Sequence, residues 1–262
     1  MSTPYLLPSL GTSVFLFFAA LVAGAMNAVA GGGSFITFPA LLFTHLPAIP
    51  ANATNTAAVW PGSVASAVAY RKELTRETWR ILWPLVIMCL AGALLGAHIL
   101  LRTPPETFIK LIPWLLLCAT IIFTVSGKIT TWIQSSANGG VRSRLWILGG
   151  FAMQLVIAMY VGYFGAGAGI LVLALLGLMG QKNIHTMNAM KTVIVSVANA
   201  VALGTFILAK IVIWPQALIM IAGSLIGGYG GAHIAQRMKQ IYVRRAVIMI
   251  GLAMSIYFFV RY

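Results

Sequence analysis

Lys191 lies inside a long apolar run, Met187 to Ala209, in the stretch "NAMKT". A buried ammonium is expensive without a partner. The chain contains no aspartate, and its three carboxylates, Glu73, Glu77 and Glu106, fall in polar stretches between apolar runs. A bound anion would supply the missing partner. The other reading is a lysine one turn inside its helix, snorkelling to the membrane surface. Neutral donors suit an anion as well: Asn27, Asn52, Asn55, Asn188 and Asn199, with Ser34, Thr56 and Thr192. Two glycine clusters add backbone donors. Gly31, Gly32 and Gly33 precede Ser34, and Gly165, Gly167 and Gly169 open a second short apolar run. Unpaired N–H groups and the helix dipole favour negative charge at such helix starts. The candidate substrate-binding set is therefore Gly31, Gly32, Gly33, Ser34, Asn52, Asn55, Gly165, Gly167, Gly169, Asn188 and Lys191.

The same inventory argues against other chemistry. Paired acids, a His-Glu-x-x-His helix and a Ser-His-Asp set are all missing from the sequence, so a membrane hydrolase is not expected. Glu73 and Glu77, four apart among basic residues, read as salt-bridge partners on a helix face. Cys89 and Cys118 fall mid-helix and read as small buried hydrophobes, with no disulfide, metal or cofactor implied. His98 and His233 each stand four residues before an arginine and read as helix-end residues.

The elements that must carry these groups are membrane helices. Sixty per cent of the residues are hydrophobic and 8% are charged, whereas a soluble domain carries about 25% charged residues. Spanning the hydrocarbon core takes about 20 residues of helix. Thr12–Ala30, Ala53–Tyr70, Ile81–Leu101, Phe108–Ser126, Leu145–Tyr163, Met187–Ala209, Ile213–Ala235 and Ala246–Val260 reach or approach that length; Ser34–Leu46 and Gly169–Gly180 fall short. The expected fold is all-α and polytopic, with 8–10 membrane segments. A cleavable signal peptide is not expected, because "MSTPYLLPSL" has no basic residue. Trp60, Trp79, Trp83 and Trp214 fall near helix ends, as an interfacial belt requires.

The chain also reads as two copies of one unit. "AGGGSFITFPALL" from Ala30 matches "GAGAGILVLALLG" from Gly165, and "NATNTAAV" from Asn52 matches "NAMKTVIV" from Asn188. "GALLGAHILLR" from Gly92 matches "GGYGGAHIAQR" from Gly227, and "FIK" from Phe108 falls opposite "YVR" from Tyr242. The order is kept, at separations of 134–136 residues. Asn55 thus falls opposite Lys191, and Thr56 opposite Thr192. The implied organisation is a first repeat over 1–126, a polar cytoplasmic linker over 127–144 and a second repeat over 145–262. Gly92/Gly96 and Gly227/Gly231, four apart on one face, read as packing positions.

Charge sets the expected orientation. The net charge of +14 is not that of a nucleic-acid binder, because Lys and Arg gather in short loops: 71–80, 128–144 and 237–245. Short basic loops mark the cytoplasmic side and favour anionic lipid. In the second copy the basic loop changes sides, so the copies are expected to insert with opposite polarity and both termini to lie outside. Inverted repeats are common in secondary transporters, with the site where discontinuous helices meet near the midplane. Each glycine cluster is then a helix break, tolerable at depth only when buried in protein or lining a cavity. Whether the short segments cross or re-enter stays open.

These motifs together, "AGGGSFITFPALL", "NATNTAAVWPGSVASAVAYRKEL", "YFGAGAGILVLALLGLMG" and "MNAMKT", resemble the TauE/SafE family, the sulfite exporter or domain of unknown function 81 family, over nearly the whole chain. The resemblance implies a bacterial inner-membrane protein moving a small sulfur-containing or organic anion such as sulfite, thiosulfate or a sulfonate. Many members carry "GGG" in the second cluster and "TS" after the first, where this chain has "GAGAG" and "TNT"; these departures bear on the substrate. The expected activity is a secondary carrier in which one repeat rocks against the other. An anion channel through the same pore, a membrane enzyme and a non-transporting scaffold are the alternatives.

Overall fold

The computed structural model describes residues 7–30, 32–136, 144–181, 183–235 and 240–261. These residues form ten α-helices: α1 Leu10–Ala30, α2 Ser34–Phe43, α3 Ala48–Ala69, α4 Arg76–Arg102, α5 Pro105–Ser136, α6 Arg144–Tyr163, α7 Ala168–Leu178, α8 Ile184–Leu208, α9 Trp214–Ala235 and α10 Gln240–Arg261. A single 3-10 turn, Arg71–Glu73, joins α3 to α4. The described residues contain no strand. The apolar runs therefore become helices nearly end for end. Helix α5 continues to Ser136, well into the expected linker, and residues 137–143 lie outside the described residues.

Both glycine clusters break the chain. In the first, α1 ends at Ala30 and α2 starts at Ser34. A Cβ on Gly33 would meet the Ala23 carbonyl oxygen and Asn27 Cβ, so the chain has already doubled back along α1. At 1.5 Å per residue α2 rises only about 15 Å, about half a bilayer core. Its far end comes level with the start of α1, where Phe43–Leu46 line a groove with Pro8, Gly11, Thr12 and Phe15. The short segment is thus one arm of a re-entrant hairpin. In the second cluster α6 ends at Tyr163 and α7 starts at Ala168. Gly165 and Gly167 take φ of +75° and +72°, which glycine adopts without a Cβ penalty.

What holds the helices together is close backbone approach. Lipid is as apolar as leucine, so burial of apolar surface does not drive helices together within a membrane; packing at small residues does. The most extensive pairings are α1 with α9 and α4 with α6. Gly223 abuts the Phe17 carbonyl and Gly227 that of Leu21, while Gly24 abuts Ser224. Residue numbers rise together, so α1 and α9 run parallel. Gly92 abuts Leu155 and Gly96 abuts Met159, which makes α4 and α6 parallel as well. Helix α3 follows α9: Thr54 Oγ1 accepts from Ile213 N–H at 3.0 Å, and the Ala58 carbonyl accepts from Ser224 Oγ at 2.6 Å. Helix α6 runs against α3, since Asn52 near the start of α3 reaches the Tyr163 carbonyl at the end of α6. Most pairings have a counterpart five helices along: α1–α9 and α6–α4, α3–α9 and α8–α4, α1–α2 and α6–α7, α5–α7 and α10–α2.

The outward surface is apolar. Phe18, Leu95, Val156 and Leu218 are each more than half exposed, and an apolar surface this extensive belongs against lipid. Among the described residues three helices, α1 over Leu10–Asn27, α4 and α8 over His185–Leu208, are long and apolar enough to cross a membrane by themselves. Two local expectations change. Cys118 is exposed, not buried, whereas Cys89 is buried and donates to the Ile194 carbonyl. Trp60 leaves the expected belt: it is half-buried within α3 and its Nε1 donates to the Ser196 carbonyl of α8 at 3.0 Å. Trp79, Trp83 and Trp214 stay exposed.

Gly24→Ala and Gly96→Ala each push a methyl group into the partner's backbone. Overpacking costs about 1–3 kcal/mol, so both variants should lower the thermal midpoint of the purified protein in detergent. Gly204→Ala, at a position with nothing within 4 Å, should leave it unchanged or raise it.

Candidate functional site

Two loci of buried polar groups lie where the broken helices meet. Helices α1, α3 and α9 begin at one face of the bundle, the near face, and the far face lies opposite. The breaks themselves touch, because a Cβ on Gly167 would lie 3.4 Å from the Phe35 ring.

The first locus is a cleft toward the far face. It is lined by Asn27 near the end of α1, Ser63 and Ser66 late in α3, Gly169 at the start of α7, and Lys191, Thr192 and Val195 early in α8. Lys191 is 2% exposed, and its Nζ donates to Asn188 Oδ1 at 3.0 Å. An ammonium has three N–H donors, so this bond leaves two for a ligand. Asn27 Nδ2 donates to Ser63 Oγ at 3.2 Å. The hydroxyls of Ser63, Ser66 and Thr192 donate to the carbonyls of Val59, Gly62 and Ala189, within their own helices. They can rotate toward an anion without any helix moving. The cleft encloses about 10 Å³, roughly the smallest space that admits a water. The site is closed in this conformation.

The second locus holds the counterpart residues. Asn55 accepts from Thr37 Oγ1, and its Nδ2 donates to Ser34 Oγ at 3.2 Å. Asn52 Nδ2 donates to the Tyr163 carbonyl at 3.0 Å, while its buried Oδ1 has no partner. That bond satisfies a carbonyl freed by the α6 break, and the Tyr160 hydroxyl donates to the Ala166 carbonyl within the same break at 2.7 Å. Aromatic rings close the near side. Phe38 meets Phe164 edge-on with centroids 5.2 Å apart, and Phe108 meets both Tyr163 and Phe164.

The expected site residues therefore divide. Gly169 and Lys191 line the cleft, with Asn188 bonded to Lys191, whereas Ser34, Asn52 and Asn55 form the second locus. Gly32 and Gly33 are buried at the first break, Gly167 is buried and Gly165 half-buried at the second, and Gly31 lies outside the described residues. The expected cradle at the first break is partly filled by the chain itself: the amides of Phe35, Ile36 and Thr37 already donate to the carbonyls of Gly32 and Gly33. Asn27 was legible only as a neutral donor, and Ser63 and Ser66 were missed. Their signal was available, as serines three apart after Trp60-Pro61-Gly62 share one helix face. An open groove of about 620 Å³ at the near face is lined by Pro8, Thr12, Phe15, Phe43, His45 and Gln216, among others. It contains none of the expected residues. Among the described residues no cluster of His, Cys, Asp or Glu could hold a metal ion.

Broken helices meeting at buried polar loci, within a bundle faced by apolar residues, define a multi-pass membrane protein of the transporter class. The chain matches the sulfite exporter TauE/SafE family over residues 16–258 and belongs to it. It is 27% identical over 242 residues to a "Probable membrane transporter protein" of Haemophilus influenzae, covering 92% of this chain and 91% of that one. A similar match, 26% over 244 residues and 90% of the relative, is to "Probable membrane transporter protein ORF9" of Sinorhizobium sp. "Probable membrane transporter protein YfcA" of Escherichia coli K12 is 26% identical over 243 residues, covering 87% of its length. No solved structure matches the chain. These names agree with a transporter and not an enzyme.

Trp60→Phe keeps a ring but removes the bond to Ser196, and a neutral hydrogen bond contributes about 0.5–1.5 kcal/mol. Gly167→Ala holds an L residue at positive φ, at a cost of about 1–2 kcal/mol. Both should lower the midpoint of thermal unfolding in detergent, and a double variant should show nearly additive losses.

Proposed function

We propose that this protein is a secondary carrier of a small anion, with the far-face cleft as its binding site. The observation that carries the reading is Lys191: buried, held by one neutral side chain and surrounded by hydroxyl and amide groups. An ammonium with two remaining donors beside amides and hydroxyls suits a compact oxyanion, which needs charge and several hydrogen bonds at once. The sulfite exporter family to which the chain belongs favours a sulfur oxyanion such as sulfite, with thiosulfate or a sulfonate as close relatives in shape and charge.

The two halves are inverted copies in this reading. Support comes from α1 and its counterpart α6 running in opposite directions and from the matched helix pairings. With the basic loops on the cytoplasmic side of a bacterial inner membrane, the near face is outer and both termini lie outside. The cleft then faces the cytoplasm, and the aromatic rings seal the outer side. In this reading the moving bodies cut across the sequence halves, which is supported by the extensive pairings of α1 with α9 and of α4 with α6 across the halves. Alternating access would instead rock an α1–α3–α9 body against an α4–α6–α8 body about the α3–α8 contact. A cleft of about 10 Å³ backed by packed rings suits an occluding carrier better than an open channel.

The test is flux of sulfite, thiosulfate and a sulfonate into proteoliposomes. Wild-type flux should saturate. Lys191→Ala should reduce it by about 10–100-fold, the value of hydrogen bonds to charge worth about 1.5–3 kcal/mol. Ser63→Ala combined with Ser66→Ala should raise KM several-fold and leave the saturating rate less affected. Saturable flux unchanged from wild type in both variants would remove this site while keeping a transporter, and unitary currents would replace the carrier with a channel.

A further inference from the structure

We infer that transport is an obligate exchange: the empty site does not change sides, and one anion leaves only as another returns. This rests on the anion-carrier reading above and adds its coupling mode.

The argument is the electrostatics of the unloaded cleft. Asn27, Ser63, Ser66, Gly169, Thr192 and Val195 are all neutral. Asn188 Oδ1 accepts one Lys191 proton, and the hydroxyl protons already point to backbone carbonyls. No carboxylate pairs with Lys191. Glu73 sits in the turn that touches the start of α8 and is partly exposed, while Glu77 and Glu106 are exposed. A carrier must pass through an occluded state in which the site leaves water. With an anion bound, that state hides a compensated pair. Without one, it hides an ammonium whose desolvation is offset only by the neutral bond to Asn188. The two occluded states therefore differ in energy by the cost of an uncompensated charge, and the unloaded path is the slow one. At the counterpart position this constraint disappears, because Asn55 is neutral and its amide is already bonded to Thr37 and Ser34. A single residue thus sets the coupling.

The experiment measures uptake of radiolabelled thiosulfate and sulfite into proteoliposomes. One set is preloaded with the same unlabelled anion, and the other with a polyanion too large for the cleft. Potassium and valinomycin on both sides clamp the voltage, so charge accumulation does not limit net uptake. The expected result is uptake at least about tenfold faster into preloaded vesicles, equivalent to a barrier difference of about 1.4 kcal/mol or more. Lys191→Asn, which copies the Asn55 position, should bind more weakly, and its ratio should fall toward one. Equal wild-type uptake into both sets would overturn exchange while leaving the carrier intact. So would rapid uptake into the polyanion-loaded set driven by an imposed pH gradient, which would make Lys191 a proton carrier instead. Absence of uptake under every condition would overturn the anion-carrier reading itself, and exchange with it. If Lys191→Asn does not fold, the wild-type ratio still decides.

Discussion

The structure depends on finding partners for backbone groups that have no water to turn to. A continuous helix satisfies its own N–H and C=O groups, and a break in hydrocarbon leaves several exposed at a cost of several kcal/mol each. This chain breaks twice, and at the second break one side chain from α3 and one from α6 itself close the gap. Asn52 bonds the Tyr163 carbonyl and the Tyr160 hydroxyl bonds that of Ala166. At the first break the opening turn of α2 bonds its amides to the carbonyls of Gly32 and Gly33, which satisfies those two groups. The breaks, the partners that satisfy them and the cleft beside them form one solution, because the groups that stabilise irregular backbone also make a polar interior.

The two glycine clusters solve this problem differently. In the second, Gly165 and Gly167 adopt left-handed φ, and any side chain would strain the backbone. In the first, Gly33 is right-handed, with φ −57°, and its glycine requirement comes from the Ala23 carbonyl lying where a Cβ would go. Sequence similarity between the clusters therefore reflects a shared position in the fold and not a shared dihedral. The same divergence separates Asn55 from Lys191. Aligned in sequence, one is a neutral group locked into hydrogen bonds and the other is a cation with donors to spare.

Much of the architecture was legible because hydrophobic run length and glycine position act locally. The helices, the two breaks and the packing role of Gly92, Gly96 and Gly227 follow from those signals. What was not legible depends on which helix meets which. Ser63, Ser66 and Asn27 join Lys191 only because α1 and α3 end beside the start of α8. Trp60 looked interfacial by its distance along the chain, yet its helix crosses α8 at that point and draws the indole onto Ser196. The expected site was too broad for the same reason, since residues equivalent in sequence occupy opposite loci in space.

The pairing of α1 with α9 has a consequence for how the protein is made. Helix α1 leaves the ribosome before α9, but Ser224, which receives Gly24, lies 200 residues later, roughly 10–40 s at ordinary rates of synthesis. During that interval Gly24 and the neighbouring carbonyls of Phe17 and Leu21 lack the α9 surface that covers them, although α2 and α3 already pack on other parts of α1. Assembly of the bundle must then wait for the second half, and a chain stalled before residue 214 presents an incomplete surface. Membrane quality-control proteases would meet it there as an orphaned helix.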